Sequence, residues 1–134
     1  MPLSDEEIKT RGKVELDPAG YVRMTFIKTT PEPENNIKLA KYLEAGILGI
    51  FNSDPSKKFN VLVDVLLLKK GRITPQARKV YIGLMEHRQA GRIAVVGKSL
   101  FLKIMIDFLT TAAGKTDKVK WFEAEPEAIK WLNK

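Results

Sequence analysis

The residues best placed for chemistry cluster at 61–79, where an apolar run passes through a basic loop into a helix start at Thr74 and Pro75. Five cations (Lys69, Lys70, Arg72, Arg78 and Lys79) surround that start, with no acid among them. A helix N-terminus already carries partial positive charge, so each exposed cation there costs about 0.3–1 kcal/mol. Either an acid elsewhere in the fold or a bound anion must offset this repulsion. Helix-start amides are themselves anion receptors. The spacing therefore points to recognition of a negative group.

Bond-making chemistry finds little support. His87 is the sole histidine, in Glu86-His87-Arg88, where its cation suits a helix C-terminus. There is no cysteine, which excludes disulfides, thiolate metal sites and thiol nucleophiles together. Without a His/Cys cluster no metal is expected, and no cofactor motif stands out. Asp64 interrupts one apolar run and Asp107 another. The favoured role for Asp64 is to accept amides at a helix N-terminus; the alternative is a buried acid of raised pKa. An enzyme would have to work through Asp64, Tyr81 or a lysine, and no spacing supports that. The chain reads as non-enzymatic. Gly97-Lys98-Ser99 resembles the end of a phosphate-binding loop, but that pattern needs glycine where Arg92 stands, which excludes nucleotide hydrolysis. Ser99 and the first amides of the helix after it still suit an anion.

The elements that position these groups follow from periodicity. Residues 12–17 and 21–28 alternate as strands around the turn Asp17-Pro18-Ala19-Gly20. Ser4 to Glu7 has the form of a capping box, enough for one helical turn. A helix capped by Asn35 or Asn36 is predicted to about Phe51, with Ile37, Ala40, Leu43, Ile47 and Ile50 as its stripe. Residues 59–68 read as a central strand covered on both faces. A second helix runs from Thr74 to about Gln89, with Ala77, Val80, Tyr81, Leu84 and Met85 turned inward. Strand 92–96, a helix capped by Ser99 and stopped by Gly114, strand 119–122 and a closing helix from Pro126 complete the chain. The fold class is α/β: a mixed, mostly parallel sheet with an N-terminal β-hairpin and helices packed on it, in the order β-β-α-β-α-β-α-β-α. One domain spanning residues 1–134 is expected.

If the strands ending near Leu68 and Gly97 are parallel, Lys69, Lys70, Arg72 and Thr74 gather on one sheet edge with Lys98 and Ser99. Open α/β sheets bind ligands beyond that edge. The helix after Ser99 is apolar on more than one side, through Phe101, Met105, Phe108 and their neighbours. Its surplus either packs deeper into the core or meets an apolar ligand, a lipid surface or a partner subunit. Lys103 and Asp107, four apart, mark its wet edge. Charge is uneven: residues 1–67 carry 9 Lys/Arg against 10 Asp/Glu, and residues 68–134 carry 14 against 6. The basic half implies an anionic partner. Nucleic acid is not expected, because the basic segment lacks interleaved aromatics for stacking. No apolar run is long enough to span a bilayer, the N-terminus is unlike a signal peptide, and a cytoplasmic location is expected.

Residues 59–64 (Phe-Asn-Val-Leu-Val-Asp), 91–97 (Gly-Arg-Ile-Ala-Val-Val-Gly) and 119–122 (Val-Lys-Trp-Phe), followed by 126–132, resemble the SpoIIAA-like family of bacterial proteins, which are STAS- and SEC14-like. The resemblance in element order covers most of residues 12–133. It implies a binding module that acts through protein partners or lipidic ligands. Two readings follow from it. The first is a module for an amphipathic or lipid-like anion or an anionic membrane surface, using Lys69, Lys70, Arg72, Thr74, Lys98 and Ser99 for the head and Phe101, Met105 and Phe108 for the tail. The second is a regulatory protein–protein module of the anti-sigma-factor-antagonist kind, with a partner protein or a second copy of the chain on the apolar face. Regulatory STAS proteins carry a phosphorylatable serine at the helix start after the central strand. Thr74 holds that place here without the acidic Asp-Ser-x-Gly signature, and its expected role is N-cap.

Overall fold

The computed structural model describes residues 2–134. The elements are α1 (Asp5–Ile8), β1 (Gly12–Leu16), β2 (Val22–Phe26), α2 (Pro33–Ser53), β3 (Phe59–Asp64), α3 (Pro75–Glu86), β4 (Ala90–Val96), α4 (Leu100–Ala113), β5 (Val119–Phe122) and α5 (Glu125–Leu132). The five strands lie in sequence order, β1-β2-β3-β4-β5. The opening hairpin β1–β2 is antiparallel, and every later pairing is parallel. The α/β class and the mixed, mostly parallel sheet expected from the sequence are the ones observed. Because β2, β3 and β4 run in one direction, their carboxyl ends, near Lys28, Val65 and Gly97, share one rim.

The period-2 pattern of the strands divides the helices between two faces. Met24, Val61, Ile93, Val95 and Val119 face α2, α3 and α4 in the main core. Leu62, Ala94 and Val96 turn the other way and bury Ala128 and Leu132 of α5. Phe51 of α2 is fully buried and packs on Phe59 (5.6 Å between ring centroids) and His87 (4.8 Å). Burying such a ring contributes roughly 1.5–3 kcal/mol.

Two differences from the expected boundaries bear on the site. Helix α2 begins at Pro33, before either asparagine, because proline's fixed φ suits a first helical position. This frees Asn35 and Asn36, both buried, for tertiary bonds. Strand β3 stops at Asp64 and does not reach Leu68. The Asp64 carboxylate accepts the Leu66 amide at 2.9 Å, Leu68 N bonds Val65 O, and the turn leaves Leu66 and Leu67 exposed. Asp64 thus meets a turn amide, not a helix N-terminus. Its second oxygen lies 3.7 Å from Arg23, which also donates to Glu125 at 2.6 Å and ties α5 to the sheet.

Gly97, at the end of β4, marks a close approach of neighbouring groups. A Cβ there would sit 2.6 Å from the Trp121 ring and 2.7 Å from a Val65 methyl. We expect Gly97→Ala to lower stability by about 1–3 kcal/mol through overpacking, measured by urea denaturation. A change below 0.5 kcal/mol contradicts that packing.

Candidate functional site

Between the sheet and helices α2, α3 and α4 lies an apolar cavity of about 140 Å³. Met24, Val63 and Val95 form its floor, Leu39 and Tyr81 its sides, and Met105 and Ile106 of α4 its roof. The volume is close to that of a cavity which, lined by Leu, Ile and Phe, stays dry and takes up benzene, about 150 Å³. Of all the residues in the lining, two are themselves exposed, Lys28 and Arg72. The solvent-facing wall of this apolar chamber thus carries cations.

The loop between β3 and α3 is held in place at this mouth from two sides. Ser99 donates to the Lys69 carbonyl at 2.5 Å, which pins the loop to the start of α4. Asn36 donates to the Arg72 carbonyl at 2.7 Å, which pins it to α2. Lys69, Lys70 and Arg72 are therefore brought to the same edge as Lys98 and Ser99. Lys28, Lys69, Lys70, Arg72 and Lys98 are all exposed, and none of them forms an ion pair among the described residues. Among the described residues no acid offsets their charge by direct contact.

Two of the site residues named from sequence do structural work. Thr74 is buried; its hydroxyl accepts the Ala77 amide at 3.3 Å and lies 3.2 Å from Asn36 Oδ1. Ser99 caps α4 by accepting the Leu102 amide at 3.2 Å. The three apolar residues separate. Met105 turns inward to the cavity, whereas Phe101 and Phe108 point outward, 57% and 66% exposed. With Leu100 (70%) and Ile104 (61%) they make an apolar outer face on α4, and Leu67 (65%) is exposed in the loop after β3. The helix's surplus hydrophobicity is thus not spent in the core. Lys103 and Asp107 pair at 3.3 Å along one edge of that face.

Lys28 was missed in the sequence. A strand parallel to β3 places its carboxyl end on the same rim, but the opening hairpin hides that β2 is such a strand. His87 caps the end of α3 and accepts the Gln89 amide at its Nδ1, at 3.0 Å. Among the described residues no group of three His, Asp or Glu is placed to hold a metal ion. None of the helices is long and apolar enough to cross a membrane, among the described residues.

A family model described as SpoIIAA-like matches residues 25–133. The chain belongs to the SpoIIAA-like family. No curated protein matches it. This SpoIIAA-like chain is also similar in structure to an uncharacterised protein of the DUF3478 family, with a SpoIIAA-like fold, from Shewanella loihica PV-4. The TM-score is 0.56 at 18% identity, over 90% of this chain and 91% of that one. That likeness is one of fold alone, and it is the family match that supports a STAS-type module in general.

Proposed function

We propose that this SpoIIAA-like chain is a non-enzymatic binding module for an amphipathic, lipid-like anion, engaged at an anionic membrane surface. The observation that carries the reading is the apolar cavity whose exposed lining is Lys28 and Arg72. The cavity takes a short apolar group of the ligand, and the cations at its mouth take the charge. Lys69, Lys70 and Lys98 extend the positive rim toward the apolar outer face of α4. A positive rim beside an exposed apolar helix face suits the boundary between headgroups and acyl chains. The regulatory alternative places a protein on that same face, but a buried, doubly bonded Thr74 gives such a partner no accessible switch.

Calorimetric titration with octanoate tests the cavity. We expect saturable binding at one site, at least tenfold weaker in Met105→Trp, whose ring fills the chamber. Arg72→Glu weakens it as well and removes its dependence on salt. Circular dichroism checks that both variants are folded. No saturable uptake by the parent protein, or equal affinity in Met105→Trp, overturns the reading.

A further inference from the structure

Tyr81 of α3 lines the cavity, with its ring set edge-on to Phe26 at 6.0 Å between centroids. Burial alone raises its pKa well above the ordinary phenol range, with no hydrogen bond or charge acting on it. Its hydroxyl has no partner among the described residues. Nor is that oxygen sealed in protein, since Thr110 Oγ1 is the one enclosed side-chain polar atom left without a partner among them. The open volume that Tyr81 adjoins is the cavity. Buried tyrosine hydroxyls usually find a hydrogen-bond partner. Phenylalanine would give the same ring packing without a polar atom to satisfy.

We propose that Tyr81 donates a hydrogen bond to a carbonyl oxygen carried on the apolar part of the ligand. The cavity then selects an ester- or ketone-bearing group over a plain hydrocarbon of the same shape. The inference rests on the reading of the cavity as a ligand site and deepens it. The anionic head stays with Lys28 and Arg72 at the mouth, and the neutral carbonyl enters. A carbonyl suits Tyr81 because the phenol stays protonated and donates, and because a second full charge inside an apolar chamber is strongly disfavoured. Sites built to bond a polar group discriminate against the analogue that lacks it.

The test uses two probes of one shape, acetophenone and α-methylstyrene, which differ by an oxygen in place of a methylene. Affinities of both are measured by NMR titration for the parent protein and for Tyr81→Phe. We expect the preference for acetophenone over α-methylstyrene to fall about three- to tenfold in Tyr81→Phe. Binding of α-methylstyrene should be the same in both proteins, which also shows that the variant is folded. In the parent protein, the Tyr81 Cζ resonance should shift with acetophenone and not with α-methylstyrene. That readout stands even if the variant fails to fold. An unchanged preference with an unmoved Tyr81 resonance overturns the assignment while leaving the cavity a ligand site. Failure of both probes to bind the parent protein removes the site and the assignment together.

Discussion

The combined change Lys69→Glu, Lys70→Glu and Lys98→Glu is expected to abolish binding to vesicles rich in phosphatidylserine. Each basic residue near an anionic bilayer contributes about 1 kcal/mol. Reversal replaces that attraction with a comparable repulsion, so three reversals amount to roughly 6 kcal/mol, far more than a hundredfold in affinity. The parent protein should itself lose affinity as salt rises, because the Debye length falls from about 10 Å at 0.1 M to about 3 Å at 1 M. Folding should be spared. All three lysines are exposed and free of ion pairs among the described residues, and the loop is held through the Lys69 carbonyl, not its side chain. Co-sedimentation with vesicles of phosphatidylserine and phosphatidylcholine reads the result, with pure phosphatidylcholine as the uncharged comparison. A triple variant that sediments with anionic vesicles as the parent does would rule out this surface as the docking face. In the proposed docking, Phe101 and Phe108, both exposed, supply the apolar part of the contact. Their ring faces explain why charge alone, as offered by soluble polyanions, should bind more weakly than a bilayer.

The α/β class and element order were legible because each element carries its own period and its own punctuation. Gly114 adopts the left-handed conformation (φ 69°) that a helix stop favours, and Ser99 and Thr74 cap as their types predict. The positive rim was legible in part, since the parallel β3–β4 pairing follows from alternation of strand and helix. Lys28 was not recognised, because the opening hairpin conceals that β2 runs parallel to β3. Residues 65–68 misled for a local reason. Their composition continues an apolar strand, but one carboxylate, Asp64, diverts the backbone into a turn. The cavity was beyond reach. Its walls combine side chains from β2, β3, β4, α2, α3 and α4, and whether such chains close up or leave a gap depends on packing that periodicity does not encode. Tyr81 shows the same limit: its helical spacing assigns it to the inner face, and only the surroundings of its hydroxyl separate a core residue from the wall of a site.

Replacing Asn36 by leucine is expected to cost about 3–5 kcal/mol, because this one amide joins three segments. Its Nδ2 donates to the carbonyls of Thr30 at 3.0 Å and Arg72 at 2.7 Å. Its Oδ1 accepts the Thr74 amide at 3.0 Å and lies 3.2 Å from the Thr74 hydroxyl. The chain after β2, the first turn of α2 and the approach to α3 therefore share a single buried side chain. Leucine fills a similar volume but leaves the Thr74 N–H and two carbonyls without partners, at roughly 1–3 kcal/mol for each group that water cannot reach. Urea denaturation measures the loss, and amide exchange locates it. Protection at Thr74 should fall further than protection in β3 and β4, since the damage lies in the loops and not in the sheet. A leucine variant within 1 kcal/mol of the parent would mean that water replaces these bonds. The same substitution also bears on the mouth. Asn36 lines the cavity and fixes the backbone that carries Arg72. In a variant still mostly folded, octanoate affinity should therefore decline although every cation remains in place.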